Sequence, residues 1–399
     1  MPMRPFTVHV PDATLADLRE RLGRTRWLGE LDGPGWQDGT SPAFMRELLE
    51  WWRTGFDWRA QEAAINRYPH FRATVDGVGL HFLHLRGRGP APLPLLLTHG
   101  WPSSFLELLP LVPLLTDPST HGGDANDAFD LVIPSLPGYG FSDPLPGRGA
   151  SALIPGLWVR LMTEVLGYPT FAAHGGDIGA YVTNRLGVEA PERVLGIHVT
   201  MAAEPYVGEG TAPLSDAERA FLRERVAAKE AGGGYNHIQR TRPQTLAYGL
   251  ADSPAGLAAW ILDKWWAWSD CGGDLERRFT KDELLTTVTL YWATQTIGSS
   301  LRVYRDWALG MEDRPETWRV HQRDWAPAGV EPRPLDPGEQ IRVPAAVALF
   351  DYQAPREWVE RAYADLRRFA QMPRGGHFAA MEEPELLAED LRAFFRDLR

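Results

Sequence analysis

The 399-residue chain has one cysteine, Cys271, which excludes an intramolecular disulfide, and it lacks CxxC or Cys/His zinc spacings. That scarcity fits a reducing, cytoplasmic setting. No window of 18 apolar residues is present, and the opening stretch MPMRPFTVHVPDATLADLRERLG meets charge too early for a signal h-region, so a soluble protein without a membrane anchor is expected. Nor is there a basic run of five or more. With 41 basic against 52 acidic side chains the net charge is −11, which gives nucleic acid no electrostatic attraction. Internal repeats and low-complexity stretches are absent.

Apolar residues make up 44% of the chain, enough to bury one large core or two smaller ones. Residues 1–90 open with PDATLADLRERLG, where Asp12 can cap a helix whose Leu15, Leu18 and Leu22 recur at helical spacing. SPAFMRELLEWW follows, with Ser41 as cap and Pro42 at the first helical position. FRATV and LHFLHL flank DGVG and predict a hairpin. Over 91–205 the pattern changes to near-continuous apolar runs, PLPLLLT, FDLVIPS, PTFAAH and RVLGIHVT, as parallel strands covered on both faces require. Residues 206–335 hold helices instead. DSPAGLAAWILDKWWAW sets Leu257, Ile261, Trp265 and Trp268 on one face, and Thr280 with Glu283 forms a capping box before TKDELLTTVTLYW. A buried strand returns at VPAAVALF within 336–399, and Leu387, Leu391, Phe394 and Leu398 mark a closing helix. The fold class expected is α/β, a mostly parallel sheet with a helical insertion before its C-terminal strands.

The stretch Gly175-Gly176-Asp177-Ile178-Gly179 has the spacing of the G-x-S-x-G strand-turn-helix that raises a nucleophile above an α/β-hydrolase sheet, with aspartate in place of serine. A carboxylate is ionised at neutral pH and attacks without a base. At saturated carbon a serine would form an ether that water cannot cleave, whereas aspartate forms an ester whose carbonyl carbon accepts a second attack. The substitution points to displacement at sp3 carbon, in epoxides or alkyl halides. The plainer alternative is that Asp177 only caps the helix that follows.

Two further motifs accompany it. THGWPSS follows a strand, so the Trp101 N–H, together with that of Ile178, can form an oxyanion hole. RGGHFAAMEEPE puts His377 between a strand end and the last helix, the place of a general base in this topology. His198, in contrast, reads as a structural histidine. For the acid behind the base, Asp351 after VPAAVALF is preferred to Glu204 after RVLGIHVT.

Over nearly its whole length the sequence resembles the epoxide hydrolases of the microsomal type. The stretches that carry the resemblance are HGWP, GGDIG, GGYNHIQRTRPQTLAYGLADSPAGLAAWI, FTKDELLTTVTLYW, SSLRVYRDW and RGGHFAAMEEPELLAED. The resemblance implies an α/β-hydrolase core, a helical lid and an N-terminal segment wrapping the core. It also implies Asp177 as nucleophile, His377 as base, Asp351 as acid, and two lid tyrosines, Tyr235 and Tyr304, that protonate the opening ring. Many members carry Trp where Ile178 stands, and others use Glu as the acid. The implied reaction needs no metal or organic cofactor; its partners are a small hydrophobic epoxide and water, in detoxification or secondary metabolism. A homodimer is compatible with the sequence. The run KWWAWSD and the large lid suggest a roomy apolar pocket. Two rival readings are a haloalkane dehalogenase, for which position 178 supplies no halide-binding indole, and a non-catalytic binding protein on the same scaffold.

Overall fold

Among the described residues nine strands form one sheet. The computed structural model describes residues 2–27, 35–147, 149–312 and 335–399. The strands are β1 (Met3–Phe6), β2 (His70–Val75), β3 (Val78–Leu85), β4 (Leu93–Thr98), β5 (Phe129–Pro134), β6 (Phe171–Gly175), β7 (Val194–Val199), β8 (Ala345–Leu349) and β9 (Leu366–Gln371), and they lie side by side in the order β1-β2-β3-β5-β4-β6-β7-β8-β9. From β5 through β9 every pairing is parallel, while β1, β2 and β3 join antiparallel at one edge. Strands β5, β6 and β8 are buried at every position, as near-continuous apolar runs predict.

The N-terminal segment divides between two neighbours. Its hairpin turns at Asp76 and Gly77, both at positive φ, as a two-residue type I′ loop requires, and β3 then pairs with β5 of the core sheet. Helices α1 (Asp12–Gly23), α2 (Pro42–Thr54) and α3 (Trp58–Ile65) instead lie against the lid. Trp52 donates its indole N–H to Thr289 Oγ1 at 2.9 Å, Thr40 Oγ1 donates to the Ala259 carbonyl at 2.7 Å, and Arg21 pairs with Asp252 at 2.7 Å. The wrapping implied by the resemblance is therefore largely around the lid. Ser41 caps α2 as expected, accepting from the Phe44 N–H at 3.4 Å. Asp12 does not cap α1: Pro11 holds the N-cap position, and Asp12, the first helical residue, pairs with Arg59.

Helices α4 (Leu111–Thr116), α5 (Ile154–Arg160) and α6 (Ile178–Glu189) connect the central strands. The lid enters between β7 and β8 as α7 (Asp216–Gly232), α8 (Gly234–Thr241), α9 (Pro243–Asp252), α10 (Pro254–Trp268), α11 (Lys281–Thr294) and α12 (Ile297–Glu312). Residues 313–334 of the expected insertion lie outside the described residues. On α10, Leu257, Ile261 and Trp265 are fully buried, each worth about 2 kcal/mol of apolar burial. The capping box of α11 forms in both directions, Glu283 N–H to Thr280 Oγ1 at 3.2 Å and Thr280 N–H to Glu283 Oε2 at 2.8 Å. No described helix is long and apolar enough to cross a membrane. His198 is a core residue, bonded through Nε2 to Asp390 Oδ2 at 2.9 Å.

Candidate active site

The loops leaving the C-terminal ends of β4, β6, β8 and β9 converge, as ligand sites do on open parallel sheets. Asp177 follows β6 with φ 50° and ψ −124°, a backbone state that non-glycine residues rarely adopt. Although it occupies the N-cap position of α6, its side chain makes no capping hydrogen bond, which removes the plainer alternative for this residue. Its Oδ1 accepts instead from the Trp101 N–H at 2.8 Å. Two glycines permit that closeness. A Cβ on Gly179 would stand 1.9 Å from the Thr98 carbonyl oxygen, and one on Gly100 would stand 2.3 Å from Asp177 Oδ1.

The Trp101 loop is held from behind by His99. Its Nε2 accepts from the Leu136 N–H at 3.1 Å and its Nδ1 donates to the Gly100 carbonyl at 3.0 Å, a pattern available only to the neutral ring. Burial lowers its pKa to about 4, against the opposing influence of that carbonyl and Asp177, so the neutral form persists. The Trp101–Pro102 peptide bond is cis. Ile178 opens α6, in the first turn whose N–H groups have no partner within the helix.

His377 Nδ1 lies 2.6 Å from Asp351 Oδ2, and Nε2 faces Asp177 Oδ2 at 3.4 Å. Burial alone would lower the imidazole pKa. Hydrogen bonding and charge from Asp177 and Asp351 outweigh it and hold the group well above its ordinary value. Glu204 does not reach the histidine: it is buried in an ion pair with Arg225. Of the two acids weighed, only Asp351 meets His377.

A cavity of about 330 Å³ opens over Asp177 and His377, with Tyr235, Trp268, Met201 and Tyr352 on its walls and Lys229, Arg225 and His237 along it as well. Tyr304 is buried next to Tyr235, their ring centroids 6.0 Å apart, and each ring packs against Trp101 at 5.6 Å. The cavity is smaller than KWWAWSD suggested, near the low end of ligand sites. Helical spacing turns Trp266 away from the other two, and tertiary packing separates Trp265 from Trp268. Trp265 stacks on Phe378 at 4.4 Å, Trp266 stacks on Trp36 at 5.2 Å, and only Trp268 faces the cavity, packing on His377 at 4.9 Å. Among the described residues no cluster of three or more His, Cys, Asp or Glu side chains is arranged to hold a metal.

Sequence reading missed two acidic groups here. Glu107, on the turn Phe105–Leu108, has its carboxyl raised to about 7 by burial, with a Ser103 hydrogen bond and the His377 charge opposing and Asp177 and Glu382 reinforcing. Glu382 fixes the loop that carries the histidine. Its Oε2 accepts from the Asp270 N–H at 2.7 Å and the Gly376 N–H at 3.1 Å, and its Oε1 from the Phe378 N–H at 3.0 Å. The His377 N–H donates to the Trp268 carbonyl at 2.8 Å, so lid and loop are bonded on both sides of the imidazole. A glutamate within AAMEE that breaks an apolar helical pattern was the available signal. Glu382→Ala leaves three N–H groups without their acceptor; the expected cost is about 2–4 kcal/mol, read as a fall in urea midpoint at unchanged slope.

Residues 3–108 match the family model described as "Epoxide hydrolase N terminus". Along 99% of its length the chain is 42% identical to a Stigmatella aurantiaca protein named "Putative epoxide hydrolase", covering 85% of that protein. It is 34% identical to epoxide hydrolase 1 of Sus scrofa, with 98% of this chain and 88% of the pig protein covered. Among solved structures, the juvenile hormone epoxide hydrolase of the silkworm Bombyx mori superposes with TM-score 0.81 at 30% identity, covering 100% of this chain and 94% of that one. The epoxide hydrolase of Aspergillus niger superposes with TM-score 0.81 at 29% identity over 100% and 97% of the two chains.

Proposed function

Since the chain belongs to the epoxide hydrolases, which convert an epoxide to a vicinal diol through a covalent aspartyl ester, we propose that Asp177 is the residue esterified and that Asp351, His377, Tyr235 and Tyr304 serve it. The observation that carries this assignment is the single line of contacts Trp101 N–H, Asp177, His377, Asp351 beneath one cavity.

Each oxygen of Asp177 has its own task. Oδ1 is held by the Trp101 N–H, leaving Oδ2, on the His377 side, to attack a ring carbon. As that C–O bond forms, the ring C–O bond breaks. The departing oxygen, far more basic than a phenolate, takes a proton from Tyr235, with the neighbouring Tyr304 hydroxyl in support. Tyr304 is assigned by motif and proximity to Tyr235.

Esterification also changes the base. While Asp177 is anionic, two carboxylates keep His377 protonated. Alkylation removes one of those charges, so the imidazolium loses part of its support and its proton becomes easier to release. Neutral Nε2 then deprotonates a water that attacks Asp177 Cγ. The tetrahedral oxyanion forms on the oxygen facing the Trp101 N–H, with the Ile178 N–H at the helix start as second donor. Collapse breaks the bond from Asp177 Cγ to the alkyl-bearing oxygen, which takes the proton His377 had drawn from water; the diol leaves and the oxygen of the water stays in the carboxyl group.

That oxygen is the test. One turnover in ¹⁸O-water, with enzyme in excess over a styrene-type oxide, should put the label in the peptide containing Asp177 and leave the first diol unlabelled. Label in the diol alone would mean direct attack by water and would overturn the assignment. The cavity walls favour a small, mainly apolar epoxide.

A further inference from the structure

Lys264 occupies a position on α10 where the seam of the helix calls for an apolar residue. It lies between Ile261 and Trp265 in sequence and is 8% exposed, although a lysine near a protein surface ordinarily extends its ammonium outward. Here the ammonium turns inward. Nζ lies over the Tyr235 ring at 4.9 Å from its centroid and 5.9 Å from that of Trp268, with Asp263 Oδ2 as an ion-pair partner at 2.7 Å. Both rings wall the cavity above Asp177. The interior cation therefore contacts the phenol assigned as proton donor.

We propose that Lys264 is a positioning residue for ring opening, its charge stabilising the phenolate that Tyr235 becomes as it gives its proton to the epoxide oxygen. The inference rests on Tyr235 being that donor. In the step concerned, the bond from Asp177 Oδ2 to carbon forms, the ring C–O bond breaks, and the proton passes from the Tyr235 oxygen to the substrate oxygen. The phenolate recovers a proton when water is consumed in ester hydrolysis. A cation near the ring acts more strongly on the phenolate than on the phenol, so it lowers the barrier to proton transfer rather than merely binding the ground state. Other ionisable groups around Tyr235 carry both signs: Lys229 and Arg225 on α7, His237 on its own helix, and Asp177, Asp351 and His377 from the core all line the cavity. From α12, Tyr304 packs edge-on and Arg305 reaches the Arg240 carbonyl at 3.3 Å. Lys264 lies over the Tyr235 ring itself.

The experiment follows single-turnover ring opening of styrene oxide by protein fluorescence across pH in the wild type, Lys264→Met, Lys264→Arg, Tyr235→Phe and the double variant Lys264→Met/Tyr235→Phe. Lys264→Met should slow ring opening roughly tenfold and move the alkaline limb, where the donor loses its proton, up by about one pH unit. Lys264→Arg, which keeps the charge, should restore most of both. In the Tyr235→Phe background Lys264→Met should change neither. If Lys264→Met fails to fold, Lys264→Gln, which retains a donor for Asp263, replaces it. A Lys264→Met profile identical to wild type beside a slow Tyr235→Phe, or equal slowing in the Tyr235→Phe background, overturns the tuning role alone. Wild-type ring opening in Tyr235→Phe removes the donor itself and the inference with it.

Discussion

Asp177→Asn is expected to bind epoxide and leave it unopened, with turnover reduced by about 10⁴ or more. The substitution removes the anionic Oδ2 that faces the cavity while leaving an Oδ1 to accept the Trp101 N–H. Its effect should be chemical and not structural. Asparagine has the same shape and branching as aspartate, so it meets the φ 50°, ψ −124° turn at the same steric cost and the turn should survive with little change in thermal stability. The variant also takes away one of the two carboxylates that raise His377, so the imidazole should titrate at lower pH than in the wild type. Intact-protein mass spectrometry after mixing with excess styrene oxide should show no adduct. Diol formation within tenfold of wild type, in a preparation confirmed to contain asparagine, would end the case for Asp177 as nucleophile.

Why this residue was legible in the sequence, and others were not, follows from the range of the interactions involved. The turn at Asp177 is a local object. Gly179 must pass against Thr98 and Gly100 against the carboxylate, so the motif carries its own geometry within a few residues. The strands were readable for a similar reason, since a parallel strand buried on both faces is a short unbroken apolar run. Asp351 and Glu204 could be ranked only by their places after strands; what separates them is tertiary, because Glu204 is drawn to Arg225 on α7. The lid tyrosines came from the resemblance, for nothing in the spacing of Tyr235 or Tyr304 distinguishes them from packing residues. The strand Met3–Phe6 and helix α3 went unread; β1 is mostly exposed along its length, and its pairing partner Ala73 lies 70 residues away, so neither burial nor a local turn announces it. The indoles of KWWAWSD misled because the step of about 100° between successive helical residues turns Trp266 away, toward Trp36, while Trp265, on the same face as Trp268, is taken up by Phe378 and leaves only Trp268 at the cavity.

His377→Gln should stop the cycle halfway. The Asp177 carboxylate is retained and the lid tyrosines are untouched, so the ring is expected to open and the ester to form, but the imidazole Nε2, oriented by the 2.6 Å contact of Nδ1 with Asp351, is no longer there to take a proton from water. Loss of a general base costs about 10²–10⁴ in rate, and the loss falls on the second step, so the alkyl-enzyme accumulates. Mass spectrometry should find one substrate mass added per chain, localised to the peptide containing Asp177, while steady turnover falls by that factor. Acid should reproduce the same arrest in the wild type. Once Asp177 is esterified, its charge no longer supports the imidazolium; as pH falls through the pKa of His377 in that intermediate the base becomes protonated, hydrolysis slows, and the ester burst grows. Raising the pH should release it. In His377→Gln the trapped ester should be largely indifferent to the same change of pH, since the titrating group is gone. A glutamine variant that turns over at the wild-type rate, or a wild-type burst that shrinks on acidification, would take the base assignment away from His377.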